Sequence, residues 1–513
     1  MLESRSLWSL IEERASLTPD ALLAIDEADN ALTFGGFKVR AERAASGLSA
    51  LGVAEGSAVS WVMPTRIDTL VLTAALSRLG AVQNPCLPIY RERELGFVTH
   101  QTRAEMLIVP GCFRGVDFLH IAEKIAAAQP GLRVLDASEG LPVGRSASLP
   151  RRPWETDPED APVRWIFYTS GTTSDPKGAR HTDATLEANA RGMAARLALR
   201  SDDRVALPFP ITHIGGVGWL YAALMTGCSL ITIEIFDPKS TIEVLARHGV
   251  TQGTAGTVFH QAYLDAQRRN PGTRILPRIR AFPGGAAPKP PQLHFDLARE
   301  IGGVGIVSGY GLTECPIISM NSVHCSDDKL ARTEGRVNPP DAQIRVVLDD
   351  GGDAAPGQSG ELRVRGPQLF KGYVDASLDE AAFDERGFFR TGDLGYLDDD
   401  GYVVITGRLK DVIIRKGENI SAQEIEDLLY AHPKIADVAV IGLPDPTSGE
   451  RVCAVVQCQP GEELAFDEMV EFLLARELMK QKLPEQLELA PRIPRNAAGK
   501  IMKREIREWF APS

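Results

Sequence analysis

The sequence predicts an α/β protein in two parts. Residues 1–409 form a large N-terminal domain of layered sheets and helices, and residues 410–513 a small α+β C-terminal domain. Three observations carry this expectation. Apolar strand-like runs alternate with helical patterns through roughly the first four hundred residues, the pattern of buried sheets covered by helices. From about Glu361 the texture changes to short strands separated by Gly and Asp turns. After Lys410 a compact set of helices and strands follows, of the size of a small domain.

Taken in order, "GSAVSWVMP" reads as a strand, "DTLVLTAALSRLG" has helical spacing, and "AEMLIVP" is another strand. "TDATLEANARGMAARLAL" puts Leu186, Ala190, Met193, Ala194 and Leu197 on one helical face. "GELRVRG", "GYLDDDGYVVITG" and "DVIIRKG" are short strands. "SAQEIEDLLYAHP" is a helix, "IADVAVIGLP" and "RVCAVVQCQP" are strands, and "FDEMVEFLLARELMKQK" is a helix.

With 513 residues, 44% of them hydrophobic, the chain can bury a large core. A net charge of −12 argues against nucleic acid as a partner, because phosphate backbones need a basic face. Seven cysteines occur without a CxxC pair, the closest being Cys315 with Cys325 and Cys453 with Cys458, which fits reduced thiols and excludes zinc-ligand spacing. The acidic, amphipathic start "MLESRSLWSLIEERASLTPD" is unlike a signal peptide, and no apolar run reaches membrane-span length. The expectation is a cytoplasmic protein.

"YTSGTTSDPKGARHT", Tyr168 to Thr182, follows the apolar run "VRWIFY" and precedes a helical pattern. A strand, a Gly/Ser/Thr loop and a helix make a phosphate site: small residues bring backbone N–H groups close, hydroxyls add donors, and Lys177 adds charge. A Walker loop is excluded because Lys177 precedes Gly178 and Ala179 follows. By itself the stretch also reads as a solvated turn.

The ordered set "YTSGTTSDPKGARHT", "GGAAP", "GYGLTE", "GFFRTGD", "GRLKDVIIRKGENISAQEIE" and "PRNAAGK" resembles the adenylate-forming superfamily, which includes acyl-CoA synthetases, peptide-synthetase adenylation domains and luciferases. The resemblance runs from "LTFGGF" near Leu32 to Lys500. It implies a multi-subdomain N-terminal domain with a small barrel-like β region, and a mobile C-terminal domain. It also implies a two-step reaction: a carboxylate attacks the α-phosphorus of Mg-ATP, and a thiol, that of coenzyme A, then displaces AMP. The protein's share of this chemistry is charge neutralisation and alignment.

The resemblance implies roles by position. Thr169, Ser170, Gly171, Thr172, Thr173 and Lys177 would wrap the β- and γ-phosphates. Gly285, Ala286, Ala287 and Tyr310 would hold the adenine, with Gly311 in the same nucleotide site, and Thr313 would contact the α-phosphate. Glu314, with Thr169, would bind Mg²⁺, which favours hard oxygen ligands. Asp393 would anchor the ribose, assisted by Arg408. Lys410 would be a hinge about which the C-terminal domain turns, presenting Lys500 for adenylation and the "RKGENI" loop, with Gly417, for CoA. Ser174 stands where relatives usually carry glycine, and either an ordinary φ for it or a loop poorly ordered without ATP is expected.

The acyl site is carried by "PFPITHIGGVGW", with His213, Gly215 and Gly216. His213 reads equally as a gate and as a hydrogen-bonded wall residue, and Thr212 replaces the usual aromatic neighbour. Gly215, Gly216 and Gly218 either leave room for an apolar acyl group or serve helix packing. No acid lies in "PFPITHI" to hold an amino group, which disfavours amino-acid substrates. The expected activity is an acid:CoA ligase for a fatty or other apolar carboxylic acid. The alternatives are an aromatic or cyclic acid, or loading of a carrier protein acting in trans. A non-catalytic nucleotide sensor is disfavoured by Lys177, Glu314, Asp393, Arg408 and Lys500 occurring together, and an oxidase of the luciferase kind by Ile414. The resemblance leaves a homodimer open.

Overall fold

The computed structural model describes residues 1–169, 176–285, 289–415, 418–445, 448–496 and 499–510. Its largest sheet has six strands in the order Lys177–Thr182, Val163–Thr169, Val82–Pro85, Ala58–Trp61, Met106–Val109, Arg133–Asp136. All neighbours are parallel except the first pair. Its strands are buried without alternation: Val59, Trp61, Leu107, Ile108 and Trp165 are fully buried, and Gln83 and Asn84 of the polar central strand Val82–Pro85 are nearly so. Strands read that way when both faces are covered. Helix Ile67–Leu79 covers this sheet, buried around most of its circumference and closed by Gly80 in the left-handed conformation.

A second sheet runs Arg204–Leu207, Ser229–Thr232, Leu22–Ile25, Ala31–Thr33. Helices Asp183–Arg196 and Ile214–Thr226 belong to the core between the sheets. The face expected for the first of these is confirmed: Leu186, Ala190, Met193, Ala194 and Leu197 are all buried. A third, small sheet pairs Phe282–Gly284 with Ile306–Tyr310 in parallel, then adds Ser319–Met320 and Arg336–Val337. It brings Gly285 beside Tyr310.

The fourth sheet, Gln343–Val347, Gly360–Arg365, Phe389–Leu397, Val403–Arg408, is antiparallel throughout. It corrects the expectation of a barrel-like region. The described pairings leave its first and last strands as edges, so the sheet is open. A closed ring would need the first strand to pair with the last, and the order of the four strands is linear. The short 3-10 turn Leu409–Asp411 then leads into the last sheet.

That sheet is ordered Glu418–Ser421, Val412–Arg415, Gly449–Cys458, Ile435–Asp445, with Gln486–Leu489 parallel to the third of these. Its strand Ile435–Asp445 is buried on both faces. Val438 and Val440 join Ile425, Leu429, Met469 and Leu473 on the side of helices Ala422–Leu429 and Phe466–Leu474. Ala439, Ile441 and Leu443 join Ile493 and Ile506 on the other. The helix expected over "FDEMVEFLLARELMKQK" stops at Leu474. Glu477 turns to positive φ, and Leu478 N–H bonds back to Leu473 O, which folds the buried Leu478 over the core. The seven cysteines are free, and no helix among the described residues is long and apolar enough to cross a membrane.

Candidate active site

Asp393 and Arg408 face each other across neighbouring antiparallel strands. Arg408 Nε lies 2.5 Å from Asp393 Oδ1, and Arg408 Nη2 donates to Oδ2 at 3.4 Å. The Tyr310 hydroxyl donates to the same Oδ2 at 2.6 Å. Burial and the adjacent carboxylate hold the Tyr310 phenol far above its ordinary pKa, so it stays a neutral donor. The Asp393 carboxylate is 2% exposed but doubly supported, which satisfies the requirement that a buried charge be paired.

A second group of contacts lies where Tyr310 leads into Gly311–Glu314. Tyr373 Oη donates to Glu314 Oε1 at 2.7 Å, and Lys177 Nζ sits 5.4 Å from the centre of the Tyr373 ring. One tyrosine thus links the lysine of the glycine- and hydroxyl-rich stretch to the carboxylate expected to hold a metal. His181 Nε2 lies 2.8 Å from the Thr313 carbonyl, and its Nδ1 lies 2.9 Å from Thr185 Oγ1. A carbonyl only accepts, so Nε2 carries the proton. Burial lowers the His181 pKa to about 4 and keeps the ring neutral. Glu314 and Thr169 offer hard oxygens, and among the described residues no group of three or more His, Cys, Asp or Glu forms a metal cage. That donor set fits Mg²⁺, which takes few carboxylates and keeps waters.

A cavity of about 1420 Å³ opens between the N-terminal sheets and the C-terminal domain. Gly285, Tyr310, Gly311, Asp393, Arg408, Lys410 and Lys500 all border it. The Lys500 ammonium is pushed down to about 8 by burial, then by Arg408 and Lys410, against the smaller pull of Asp393 and Asp411. Lys410 is lowered for the same first two reasons, burial and Arg408. The arrangement sets a buried, supported carboxylate beside three cations, Arg408, Lys410 and Lys500, which suits a ligand carrying both hydroxyls and phosphates.

Thr169, Lys177, Thr313, Glu314, His213, Gly215 and Gly216 lie outside the lining of that cavity. His213 caps helix Ile214–Thr226, its Nδ1 accepting from Gly215 N–H at 3.1 Å, and burial lowers its pKa. An aromatic neighbour is present after all: Phe209 meets the His213 ring edge-on at 6.5 Å. Thr212 is buried. A Cβ at Gly216 would stand 2.6 Å from Ile211 Cα, so this glycine serves close packing of the helix on its own approach segment.

One local expectation changes. The stretch after Tyr168 joins two antiparallel strands, Val163–Thr169 and Lys177–Thr182, rather than a strand and a helix. The helix begins only after its N-cap Thr182. "KGARHT" pairs along its whole length because Gly178, Ala179, His181 and Thr182 are buried there. Ser170, Gly171, Thr172, Thr173 and Ser174, together with Ala286, Ala287 and Gly417, lie outside the described residues. Tyr373 and His181 escaped the sequence reading. His181 stood inside the quoted stretch, and only the strand assignment reveals that it points inward. Tyr373 is 59 residues from its partner Glu314, and no local pattern joins them.

Residues 11–374 match the AMP-binding enzyme family, and residues 424–500 match the AMP-binding enzyme C-terminal domain. The medium-chain fatty-acid–CoA ligase of Escherichia coli (strain K12) is 31% identical, covering 98% of this chain and 90% of its own. The salicyl-AMP ligase / salicyl-S-ArCP synthetase of Mycobacterium tuberculosis (strain ATCC 25618 / H37Rv) is also 31% identical over the same shares. Among solved structures, o-succinylbenzoate coenzyme A synthetase from Bacillus subtilis in complex with ATP and magnesium ion superposes with a TM-score of 0.82 at 27% identity, covering 97% of this chain and 99% of that one.

Proposed function

The chain belongs to the AMP-binding enzyme family, and from that premise we propose that it is an ATP-dependent acyl-CoA synthetase for a fatty or other apolar carboxylic acid. Its class, the AMP-forming acid–CoA ligases, works in two steps: the acid is adenylated, and the acyl group then passes to a thiol. The observation that carries the reading is the single cavity shared by Lys500, the Tyr310–Asp393–Arg408 group and Lys410. It sets the Asp393 carboxylate beside the cations Arg408, Lys410 and Lys500.

In this reading Asp393 accepts from the ribose hydroxyls and Tyr310 stacks on the adenine. Lys500 meets the carboxylate and α-phosphate where charge builds up in the transition state. Lys177 and Thr169 contact the outer phosphates, and Thr313 the α-phosphate. Glu314 holds Mg²⁺, which when bound neutralises phosphate charge. Residues 1–409 bind ATP and acid, and residues 410–513 turn about Lys410 between the half-reactions. Substituting Lys410→Pro fixes φ in the turn, and one half-reaction should then fall far more than the other. Wild-type rates in both would remove the hinge.

The acid is tested with a panel of octanoate, palmitate, salicylate and indole-3-acetate. Pyrophosphate release is expected to be fastest with one of the two fatty acids, and AMP release with thioester formation to require CoA. A second reading, an aromatic acid delivered to a carrier protein, draws on the salicyl-AMP ligase relative. Fast pyrophosphate release with salicylate and no thioester on CoA would favour it.

A further inference from the structure

The turn that carries Lys500 is held by a group of side chains that touch neither ATP nor acid in the reading above. Asn496 N–H bonds to Lys500 O at 2.9 Å, Gly499 N–H to Asn496 O at 2.9 Å, and Lys500 N–H to Asn496 Oδ1 at 2.9 Å. Gly499 sits at φ +81°, a conformation that favours glycine, and a Cβ there would meet Val258 Cγ2 of the N-terminal domain at 3.3 Å. Asn496, Gly499 and Lys500 are thus bonded to one another, and Gly499 lies close to the opposite wall.

Arg495 anchors it from the same cavity wall, which Tyr430 and Asp437 also line. Its Nη1 donates to the Gly499 carbonyl, one residue from Lys500. The other side of the guanidinium forks onto Asp437, Nε to Oδ2 at 3.0 Å and Nη2 to Oδ1 at 2.7 Å. Tyr430 Oη closes the group, donating to Asp437 Oδ1 at 2.7 Å and accepting from Arg495 Nη2 at 3.2 Å. A planar guanidinium paired at two atoms fixes direction as well as distance, which a lysine in its place would not. Asp437 is itself fixed, because it stands on the strand Ile435–Asp445 buried on both faces.

We propose that Asp437, Arg495 and Tyr430 are positioning residues for adenylation: they fix the direction in which the turn presents Lys500 to the cavity. This rests on the reading that Lys500 acts in the first half-reaction, and the test separates the two. Pyrophosphate release is measured with the panel acid that reacts fastest, and thioester formation with CoA and that acid's synthetic acyl-AMP. The variants are Asp437→Asn, Arg495→Lys, Tyr430→Phe and Lys500→Ala, with Asp437→Asn/Lys500→Ala as a double variant.

Asp437→Asn and Arg495→Lys should each lower kcat for pyrophosphate release by roughly 10- to 100-fold, as a misplaced group does. The thioester step should stay within about twofold, since it bypasses Lys500. Tyr430→Phe should cost less, about threefold, because the fork survives it. Asp437→Asn should add no loss to Lys500→Ala, since a residue that acts only through another becomes silent when that other is gone. Equal loss in both half-reactions, further loss in the double variant, or wild-type kcat in Asp437→Asn and Arg495→Lys would each overturn the proposal. If Asp437→Asn does not fold, Arg495→Lys, which keeps the charge, is tested in its place, alone and with Lys500→Ala. Wild-type pyrophosphate release in Lys500→Ala would instead overturn the reading of Lys500 itself.

Discussion

The two walls of the cavity hold charge in opposite ways. On the N-terminal side Asp393 is buried and satisfied by Tyr310 and Arg408. On the C-terminal side Lys500 is brought among other cations, and burial with Arg408 and Lys410 lowers its pKa to about 8. The first wall is assembled before any ligand arrives. The second gathers Arg408, Lys410 and Lys500, whose mutual repulsion a bound anion would offset. A preassembled wall suits binding common to both half-reactions, and a crowded cation suits a step in which negative charge appears.

Substitutions can break this contrast. The largest effect is expected from Lys500→Ala: pyrophosphate release should fall by about 10²- to 10³-fold while thioester formation from acyl-AMP is retained. Next, Asp393→Asn should weaken both half-reactions by about 10- to 100-fold, mostly through KM for ATP in the first and KM for acyl-AMP in the second, because a hydrogen bond to a charged acceptor is lost. If it spared either half-reaction, the common-anchor view of the first wall would fall.

The contrast also has a pH signature. Lys500 is lowered in the empty protein, so the ammonium is lost as pH rises through about 8. Then kcat/KM for pyrophosphate release, which reports the free enzyme, should decline above that pH. In kcat the decline should move to higher pH, because bound phosphates favour the ammonium. The sign for stability is the reverse: the cost of the buried ammonium is full below 8 and fades as pH approaches its ordinary 10.5. The smallest effect concerns packing. Gly216→Ala should cost about 1–3 kcal/mol of stability by overpacking against Ile211, read as a lower Tm, with the acid preference unchanged.

Much of this was readable in the sequence, for identifiable reasons. Strands at "AEMLIVP" and "VRWIFY" and helices at "DTLVLTAALSRLG" and "SAQEIEDLLYAHP" follow from local periodicity, and the structure has them there. Tyr310, Asp393, Arg408 and Lys500 lie in ordered motifs, and they do meet around one cavity. Pairings across long separations were not legible. Tyr373 with Glu314 and Arg495 with Asp437 depend on sheet topology that no short window contains. The hairpin after Tyr168 was missed because glycine and proline mark a turn without stating whether a strand or a helix follows. The length of the helix after Phe466 was overestimated because "ARELMKQK" has helical propensity that burial of Leu478 overrides.

One irregularity in the last sheet has a further consequence. The pairing of strand Ile435–Asp445 shifts by one residue between Ile435 and Asp437, which leaves Ala436 as a bulge. From Asp437 onward Ala439, Ile441 and Leu443 share a face, while Val438 and Val440 take the other. A one-residue slip would exchange the two cores, so the strand is locked in place. Asp437 shares the parity of Ala439, so the same lock fixes the side of the sheet on which its carboxylate emerges, and the bulge at Ala436 absorbs the mismatch upstream of it. Under the positioning role proposed above, the aim of Lys500 is written in the parity of a hydrophobic strand: adding or deleting one residue between Asp437 and Ala439 would turn that carboxylate to the opposite face.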